Sequence, residues 1–170
     1  MTPQDVADLY AFLKTTPAED IPSLKHDVGF PFNIRLALGG WKLLFFKKDY
    51  PFEVADNPDL IRGQYLVEAM GHCAECHTPR NALGGAKSNA WLAGGPNPDG
   101  DGQIPNITPS EAGIGNWSVN EIVEYFTTGF TPDFDVVGGS MVSVQENLAK
   151  LPPDDLAAIA AYLKSVPAID

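Results

Sequence analysis

The chain has 170 residues, 44% of them hydrophobic, which is enough for one folded domain with an appendage and too apolar for a disordered chain. Its 11 basic and 22 acidic residues give a net charge of −11, which argues against a nucleic-acid partner because phosphates require a basic surface. The acidic residues are unevenly distributed along the chain: residues 1–62 have a net charge of −2 and residues 63–170 a net charge of −9. The acidic second part suits either a solvated surface or the steering of a complementary partner.

Residues 3–14 are predicted to form a helix, with Thr2 as the N-cap and Pro3 at the first helical position. Residues 2–18 also align without gaps on residues 152–168, with 8 of 17 positions identical. Two interpretations stay open. The two segments are unrelated amphipathic helices with similar caps, or the first is the last helix of a preceding domain of the same kind as the second.

The next part of the chain changes character twice. Residues 15–29 are polar and rich in turn residues, which indicates a linker. Residues 30–48 contain no acid and four bases among many aromatic and aliphatic side chains. We expect a fixed connector that packs on the following domain through Phe30, Phe32 and Trp41, with its bases facing outward. The alternative is a surface that docks a partner subunit or the membrane interface.

A second helix is predicted to begin at Pro58, with Asn57 as its N-cap, and to run to about Met70. Gly63 lies inside this helix, where glycine costs about 1 kcal/mol relative to alanine. A glycine at such a position indicates a close packing contact.

The helix leads into a Cys-x-x-Cys-His pattern formed by Cys73, Cys76 and His77, which is typical of covalent attachment of a c-type haem. Each thiol adds to one haem vinyl group, so the two sulfurs must reach two edges of one flat ring. The histidine that follows then lies beneath the iron, where a neutral imidazole is a good axial ligand.

Two other interpretations of the motif are weaker. A thioredoxin-like redox motif would lie near a βαβ pattern, and no strand pattern precedes it. A zinc site built from His72, Cys73, Cys76 and His77 would place four ligands within six residues, whereas zinc ligand pairs are usually much further apart.

Residues 78–116 are dominated by turn signals, and no regular element is predicted there. Asn97, Asp99 and Asp101 resemble the start of a calcium-binding loop. Thr108 stands where the closing glutamate of such a loop is required, so calcium binding stays open beside a plain turn.

Two helices are predicted in the last third of the chain. Ser118 and Glu121 form a capping-box pattern that starts one helix, which is expected to end at about Thr128. Residues 130–150 are interpreted as a loop, and the last helix is expected over residues 152–165.

Residues 58–170 resemble a class I cytochrome c domain, and four segments within them resemble the cytochrome c subunits of membrane-associated bacterial alcohol, sugar-acid and aldehyde dehydrogenases: residues 62–67, 71–80, 105–109 and 113–117. Such subunits carry several haem domains in tandem, which favours the preceding-domain interpretation of residues 1–18. The resemblance implies an all-α fold, with four or five helices around one haem in residues 58–170. Residues 1–57 would supply an N-terminal helix and connector.

The resemblance also implies a set of site residues. Cys73 and Cys76 would hold the haem, and His77 would be one iron ligand. Met141, in the predicted loop, would be the second, since a soft thioether suits iron in both oxidation states, and Met70 would pack in the core. His26 is the alternative that would give a bis-histidine site. The expected hydrogen-bond donors to the haem propionates are Arg80, Asn106 and Trp117, with Trp91 as a further candidate.

The implied function is one-electron transfer rather than enzymatic catalysis. The expected partners are redox proteins: a dehydrogenase donor, and a downstream cytochrome, quinone or oxidase as acceptor. Haem c attachment implies the periplasm, although residues 1–5 lack the start of a signal peptide, so we expect a mature chain or a fragment. Because residues 30–48 are basic and rich in aromatic side chains, peripheral membrane association is a further expectation. The alternative function is a haem enzyme or gas sensor with an open iron site.

Overall fold

The computed structural model describes residues 1–97 and 100–170, which form two compact units, residues 1–49 and 50–170. The chain is mostly helical, so the predicted all-α class is confirmed. The division between units falls eight residues before the boundary suggested by the sequence at Pro58, and Phe52 and Val54 pack against the core of the second unit.

The first unit contains helices α1 (Pro3–Leu13) and α2 (Arg35–Phe45). The predicted cap of α1 is present, since the Thr2 hydroxyl accepts a hydrogen bond from the Asp5 N–H at 3.1 Å. Helix α2 lies within residues 30–48, the basic aromatic segment, where no helix was predicted. Every residue of both helices is described, and none is buried. Packing of the connector on the second unit stays a prediction.

The second unit holds five α-helices, a π-helical turn, a 3₁₀ turn and one two-stranded antiparallel sheet among the described residues. The sheet pairs Gly95 with Ile104 and Pro96 with Gln103. In chain order the elements are α3 (Pro58–Gln64), the π turn (Tyr65–Met70), α4 (Ala74–His77), the 3₁₀ turn (Ser88–Ala90), β1 (Gly95–Pro96), β2 (Gln103–Ile104), α5 (Val119–Thr128), α6 (Met141–Leu148) and α7 (Pro153–Ser165).

Local signals explain where the helices of this unit begin and end. The Asn57 side chain accepts from the N–H groups of Asp59 and Leu60 and so caps α3. Ser118 and Glu121 form the complete capping box of α5. Helix α5 stops at Gly129, whose φ of 79° is the left-handed conformation that glycine adopts without strain.

Helices α3 and α7 cross with almost no space between them. A Cβ atom built on Gly63 would lie 2.0 Å from the Ala158 carbonyl oxygen and 2.7 Å from the Tyr162 Cβ. The predicted close contact of Gly63 is therefore confirmed. Beside it, the Arg62 guanidinium donates to both carboxylate oxygens of Asp155 at 2.8 Å, which adds a solvent-exposed ion pair between the two helices.

The core of the second unit surrounds this crossing. Its fully buried side chains include Val67 on the π turn, Leu92 in the long loop, Ile122 on α5 and Tyr162 on α7. Leu156, Ile159 and Leu163 of α7 complete the same cluster. The π turn, the long loop and α5 thus all contribute to a core organised around α7.

Three expectations from the sequence are wrong. Residues 141–148 form α6 rather than part of a loop, so Met141 is the first residue of a helix. Met70 is 41% exposed and does not pack in the core. The long segment 78–116 is not free of regular structure, because it contains the 3₁₀ turn and the β1–β2 hairpin.

No helix in the described part of the chain has the length and apolar character needed to cross a membrane.

The Gly63 contact gives a stability prediction. Gly63→Ala should lower the free energy of unfolding by about 1–3 kcal/mol, because the new methyl group meets backbone atoms that cannot rotate away. The higher helix propensity of alanine would offset only about 1 kcal/mol of a clash this close. Denaturant unfolding of the haem-loaded protein measures the difference.

Gly39→Ala is the matched control, since Gly39 also lies inside a helix but a Cβ atom added to it would have no neighbour within 4 Å. This variant should be no less stable than the parent. Equal stability of the Gly63→Ala protein and the parent would show that the crossing tolerates separation.

Candidate functional site

The π turn delivers the Cys-x-x-Cys-His motif. The Gly71 N–H donates to the Leu66 carbonyl at 2.7 Å, and the Cys73 N–H donates to the Val67 carbonyl at 3.0 Å. Between them His72 has a φ of 39°, which is an uncommon conformation for a residue with a side chain. The chain then enters α4, in which the His77 N–H donates to the Cys73 carbonyl at 3.0 Å. The motif is therefore a tight, internally bonded turn.

The imidazole of His77 has a fixed orientation. His77 is 8% exposed, and its Nδ1 lies 2.8 Å from the Pro105 carbonyl oxygen. A carbonyl can only accept, so Nδ1 carries the proton, and the lone pair of Nε2, which no described residue engages, is able to bind a metal. Burial lowers the pKa of His77, and the hydrogen bond to Pro105 opposes this only in part. The neutral ring required of an iron ligand is thus favoured.

Both cysteines of the motif are free thiols, Cys76 being exposed and Cys73 partly buried. Burial, followed by the negative charge of Glu68, raises the pKa of the Cys73 thiol to about 11. Two unpaired thiols in one turn, followed by a neutral imidazole with a free Nε2, match the donor set of a covalent haem. The residues present therefore fit this cofactor.

The chain behind His77 is held by backbone hydrogen bonds. The Gly94 N–H donates to the His77 carbonyl at 2.7 Å. Gly94 has a φ of 73°, and a Cβ atom on it would lie 2.4 Å from the Ile104 carbonyl oxygen, so only glycine fits. The Thr78 hydroxyl accepts the Leu92 N–H at 3.0 Å, and the Leu92 carbonyl accepts the Ile107 N–H at 2.9 Å.

The side chain of Asn106, a predicted propionate donor, is hydrogen-bonded to other groups of the protein. Its Nδ2 donates to the Ile169 carbonyl at 2.6 Å, and its Oδ1 accepts from both the N–H and the hydroxyl of Thr108 at 2.8 Å. Asn106 directly follows Pro105, whose carbonyl contacts His77. These hydrogen bonds therefore connect the segment that orients His77 to the C-terminal tail.

The other two predicted propionate donors, Arg80 and Trp117, differ in whether their N–H groups already have partners in the protein. The Arg80 guanidinium forms an ion pair with Glu75 and donates to the Glu75 carbonyl at 3.0 Å. Trp117 packs the edge of its ring on Tyr125, with centroids 5.6 Å apart. The Trp117 indole N–H has no hydrogen-bond partner among residues 1–97 and 100–170. Trp117 therefore keeps a donor for an added group, whereas part of the Arg80 guanidinium is engaged by Glu75.

Met141 lies on a separate element from the motif. It is partly buried at the first position of α6. Helix α6 is fixed to α5 because Gln145, which is buried, donates from Nε2 to the Phe126 carbonyl at 2.9 Å.

A group of polar side chains beside the motif was not predicted from the sequence. Glu68, on the π turn, accepts from Trp91 Nε1 at 3.1 and 3.2 Å and from the Tyr162 hydroxyl at 2.8 Å. Trp91, a further candidate for a propionate, is thus engaged with Glu68. The available signal was a lone acid in the otherwise apolar run from Leu66 to Met70.

The calcium-loop pattern includes Asp99, which lies outside the described residues. Of its neighbours, Asn97 donates from Nδ2 to the Asp101 carbonyl at 3.4 Å. Thr108 is fully buried and bonded to Asn106. Among the described residues, no three His, Cys, Asp or Glu side chains are close enough to share a metal ion.

Comparison with known proteins gives relatives over nearly the whole chain. A diheme cytochrome c-type protein of Cereibacter sphaeroides is 55% identical over 168 residues, covering 99% of this chain and 56% of its own length. The fructose dehydrogenase cytochrome subunit of Gluconobacter japonicus is 41% identical over 172 residues, covering 99% of this chain and 35% of its own length.

The gluconate 2-dehydrogenase cytochrome c subunit of Pantoea cypripedii is 32% identical over 177 residues, covering 98% of this chain and 40% of its own length. The chain thus spans about half the length, or less, of the curated relatives it matches. Residues 60–167 match the family model described as cytochrome c. The chain belongs to the cytochrome c family.

Proposed function

We propose that the chain carries one electron at a time on a single c-type haem attached through Cys73 and Cys76, with His77 and Met141 as the two iron ligands. A haem bound at this site supplies a one-electron couple. The orientation of His77 carries the proposal, since its Nδ1 is held by Pro105 and its Nε2 is free. The residues of the chain bind the haem, fix the ligand ring and shield it from water.

Met141 is proposed as the second ligand for two reasons. Its thioether remains a good ligand in both oxidation states of iron, so an electron enters or leaves with little rearrangement. Its position at the start of α6 is anchored by the bond from Gln145 to Phe126. No observation in the structure favours the second candidate, an open iron site for catalysis or gas sensing.

The ligand assignment predicts a change in coordination. The reduced parent protein should not bind carbon monoxide, because both axial positions are filled. Met141→Ala should open one position, bind carbon monoxide and lose the methionine–iron charge-transfer band of the oxidised protein. Absorption spectra with and without carbon monoxide measure both effects.

Met70→Ala is the matched control, since Met70 is 41% exposed on the π turn and is not an assigned ligand. Its spectra should equal those of the parent. Carbon monoxide binding by the parent would instead favour an open-site enzyme or sensor, and unchanged spectra of Met141→Ala would exclude Met141 as a ligand.

We further propose that the chain is an electron-accepting domain of a periplasmic dehydrogenase complex. The relatives named as cytochrome subunits of fructose and gluconate dehydrogenases support this. Electrons would pass from the dehydrogenase to the haem and then to a downstream cytochrome, quinone or oxidase. Substrate-dependent reduction of the haem by a fructose dehydrogenase complex lacking its own cytochrome subunit tests the proposal.

Helix α1 is proposed to be the last helix of a preceding haem domain. Its match with residues 152–168 supports this, and so does the exposure of its apolar side chains, with Leu9 46% and Leu13 55% exposed. In α7 the equivalent side chains, Ile159 and Leu163, are buried. The diheme relative, of which this chain covers 56%, has room for such a domain.

The basic aromatic segment, residues 30–48, is proposed to contact the electron donor or an anionic membrane surface. Residues 1–49 have six bases and six acids, whereas residues 50–170 have five bases and 16 acids. The bases Arg35, Lys42, Lys47 and Lys48 therefore stand out against a strongly acidic second unit. Leu43 and Leu44 of α2 are 87% and 70% exposed, which adds apolar contact area.

Charge removal in this segment should slow electron delivery. The variant with Lys42, Lys47 and Lys48 changed to Gln should accept electrons from the dehydrogenase more slowly at low salt. The difference should fade as salt shortens the Debye length to about 8 Å and below. Stopped-flow reduction across a salt series measures the rates.

A triple variant with Lys25, Lys87 and Lys150 changed to Gln removes the same charge elsewhere and should keep the parent rate. Equal rates for the segment variant and the parent at every salt concentration would leave residues 30–48 as a connector only.

A further inference from the structure

Glu68 is a partly buried acid whose carboxylate accepts hydrogen bonds from two uncharged donors. Its carboxylate accepts from Trp91 Nε1 at 3.1 and 3.2 Å and from the Tyr162 hydroxyl at 2.8 Å. Tyr162 is fully buried on α7, and Trp91 packs against the core. No lysine, arginine or histidine in the described part of the chain forms an ion pair with Glu68. The negative charge therefore lacks a compensating cation.

This environment weakens the charged form of Glu68. Burial raises the pKa of Glu68, and the hydrogen bonds from Tyr162 and then Trp91 oppose that rise. The two donors stabilise the carboxylate without neutralising it. A change in nearby charge therefore shifts the balance between the two protonation states of Glu68.

Glu68 lies next to the turn through which the haem is proposed to attach. Glu68 directly follows Val67, whose carbonyl accepts the Cys73 N–H at 3.0 Å. The Glu68 charge also contributes to the raised pKa of the Cys73 thiol, so its field reaches the atom that would bond the haem. In the haem-loaded protein that sulfur is a thioether and no longer titrates.

The other titratable groups around Glu68 are tyrosines. Tyr162 faces it from α7, and Tyr50, at the start of the second unit, feels its charge. The pKa of each is raised, in both cases first by burial. Both therefore stay neutral where a carboxyl group titrates, and Glu68 is the one of the three that gains or loses a charge there.

We propose that Glu68 couples proton uptake to electron uptake, binding a proton when the haem is reduced and releasing it when the haem is oxidised. The step balances: one electron from the donor enters the haem, and one proton from the solvent converts the Glu68 carboxylate to the carboxylic acid. Reduction removes one positive charge from the iron, which favours the neutral acid. The inference rests on the proposed haem attachment and deepens the proposed function.

The coupling makes the reduction potential depend on pH. Glu68 binds a proton more tightly in the reduced protein, so the potential falls as pH rises between the two proton affinities. The fall is at most about 59 mV for a tenfold change in proton activity. Outside that interval the contribution of Glu68 to the slope vanishes. Spectroelectrochemical titration of the haem-loaded protein at a series of pH values measures the slope.

Glu68→Gln should remove this slope and raise the potential on the alkaline side, because no negative charge remains beside the haem. Tyr162→Phe keeps the ring but deletes one donor to the carboxylate, so the sloping interval should move to higher pH. A merely structural role for Glu68 predicts neither the lost slope nor the directed shift. Glu124→Gln, an equal loss of charge on an exposed face of α5, should leave the slope as in the parent.

Redox-difference infrared spectra of the parent supply a second measurement that needs no variant. Reduction should produce a protonated-carboxyl band within the sloping interval, and Glu68→Gln should abolish it. If Glu68→Gln does not fold, the infrared band and the Tyr162→Phe shift decide the question.

The inference is overturned by a slope that persists in Glu68→Gln, by an interval that does not move in Tyr162→Phe, or by the absence of a carboxyl band. The proposed function fails in a different way, through the lack of a reversible one-electron haem couple. A normal couple that is independent of pH would therefore reject the role of Glu68 alone.

Discussion

The contact of Gly63 with the backbone of α7 is the constraint on which the second unit depends. Because no side chain separates the helices, α7 lies against α3, and an exposed ion pair of Arg62 with Asp155 spans the same two helices. Two consequences follow along α7. The Tyr162 hydroxyl reaches Glu68 on the π turn, and the chain beyond the helix brings the Ile169 carbonyl to Asn106. One close approach thus positions the partners of Glu68 and Asn106, which precede and follow the Cys-x-x-Cys-His motif in the sequence.

Features encoded by adjacent residues could be predicted from the sequence. The caps at Thr2, Asn57 and Ser118 each depend on hydrogen bonds to residues two or three positions away. The starts of α1, α3 and α5 could therefore be predicted from short stretches of sequence. The haem motif is equally local. Helix α6 was missed because Ser140 makes no side-chain cap bond, and glycines precede it.

Features that depend on distant partners could not be predicted. Asn106 was expected to face a propionate, but its amide meets Ile169, which is 63 residues away in sequence. The acid at Glu68 was visible, whereas its donors lie 23 and 94 residues away. The same holds for Pro105, whose carbonyl orients His77 across 28 residues. A local sequence pattern therefore predicts which kind of side chain could bind a cofactor. Which partner each polar side chain contacts depends on tertiary structure.

The bond between Asn106 and Ile169 also makes two parts of the proposed site depend on different stretches of chain. The segment that carries Pro105 is hydrogen-bonded to residue 169, so its position depends on the C-terminal tail. The turn at residues 73–77 is held by hydrogen bonds within residues 66–77. Haem attachment through the two proposed cysteines and orientation of the proposed ligand His77 would therefore rely on separate contacts. A chain stopped short of residue 169 would retain both sulfurs in place but leave the imidazole less firmly oriented.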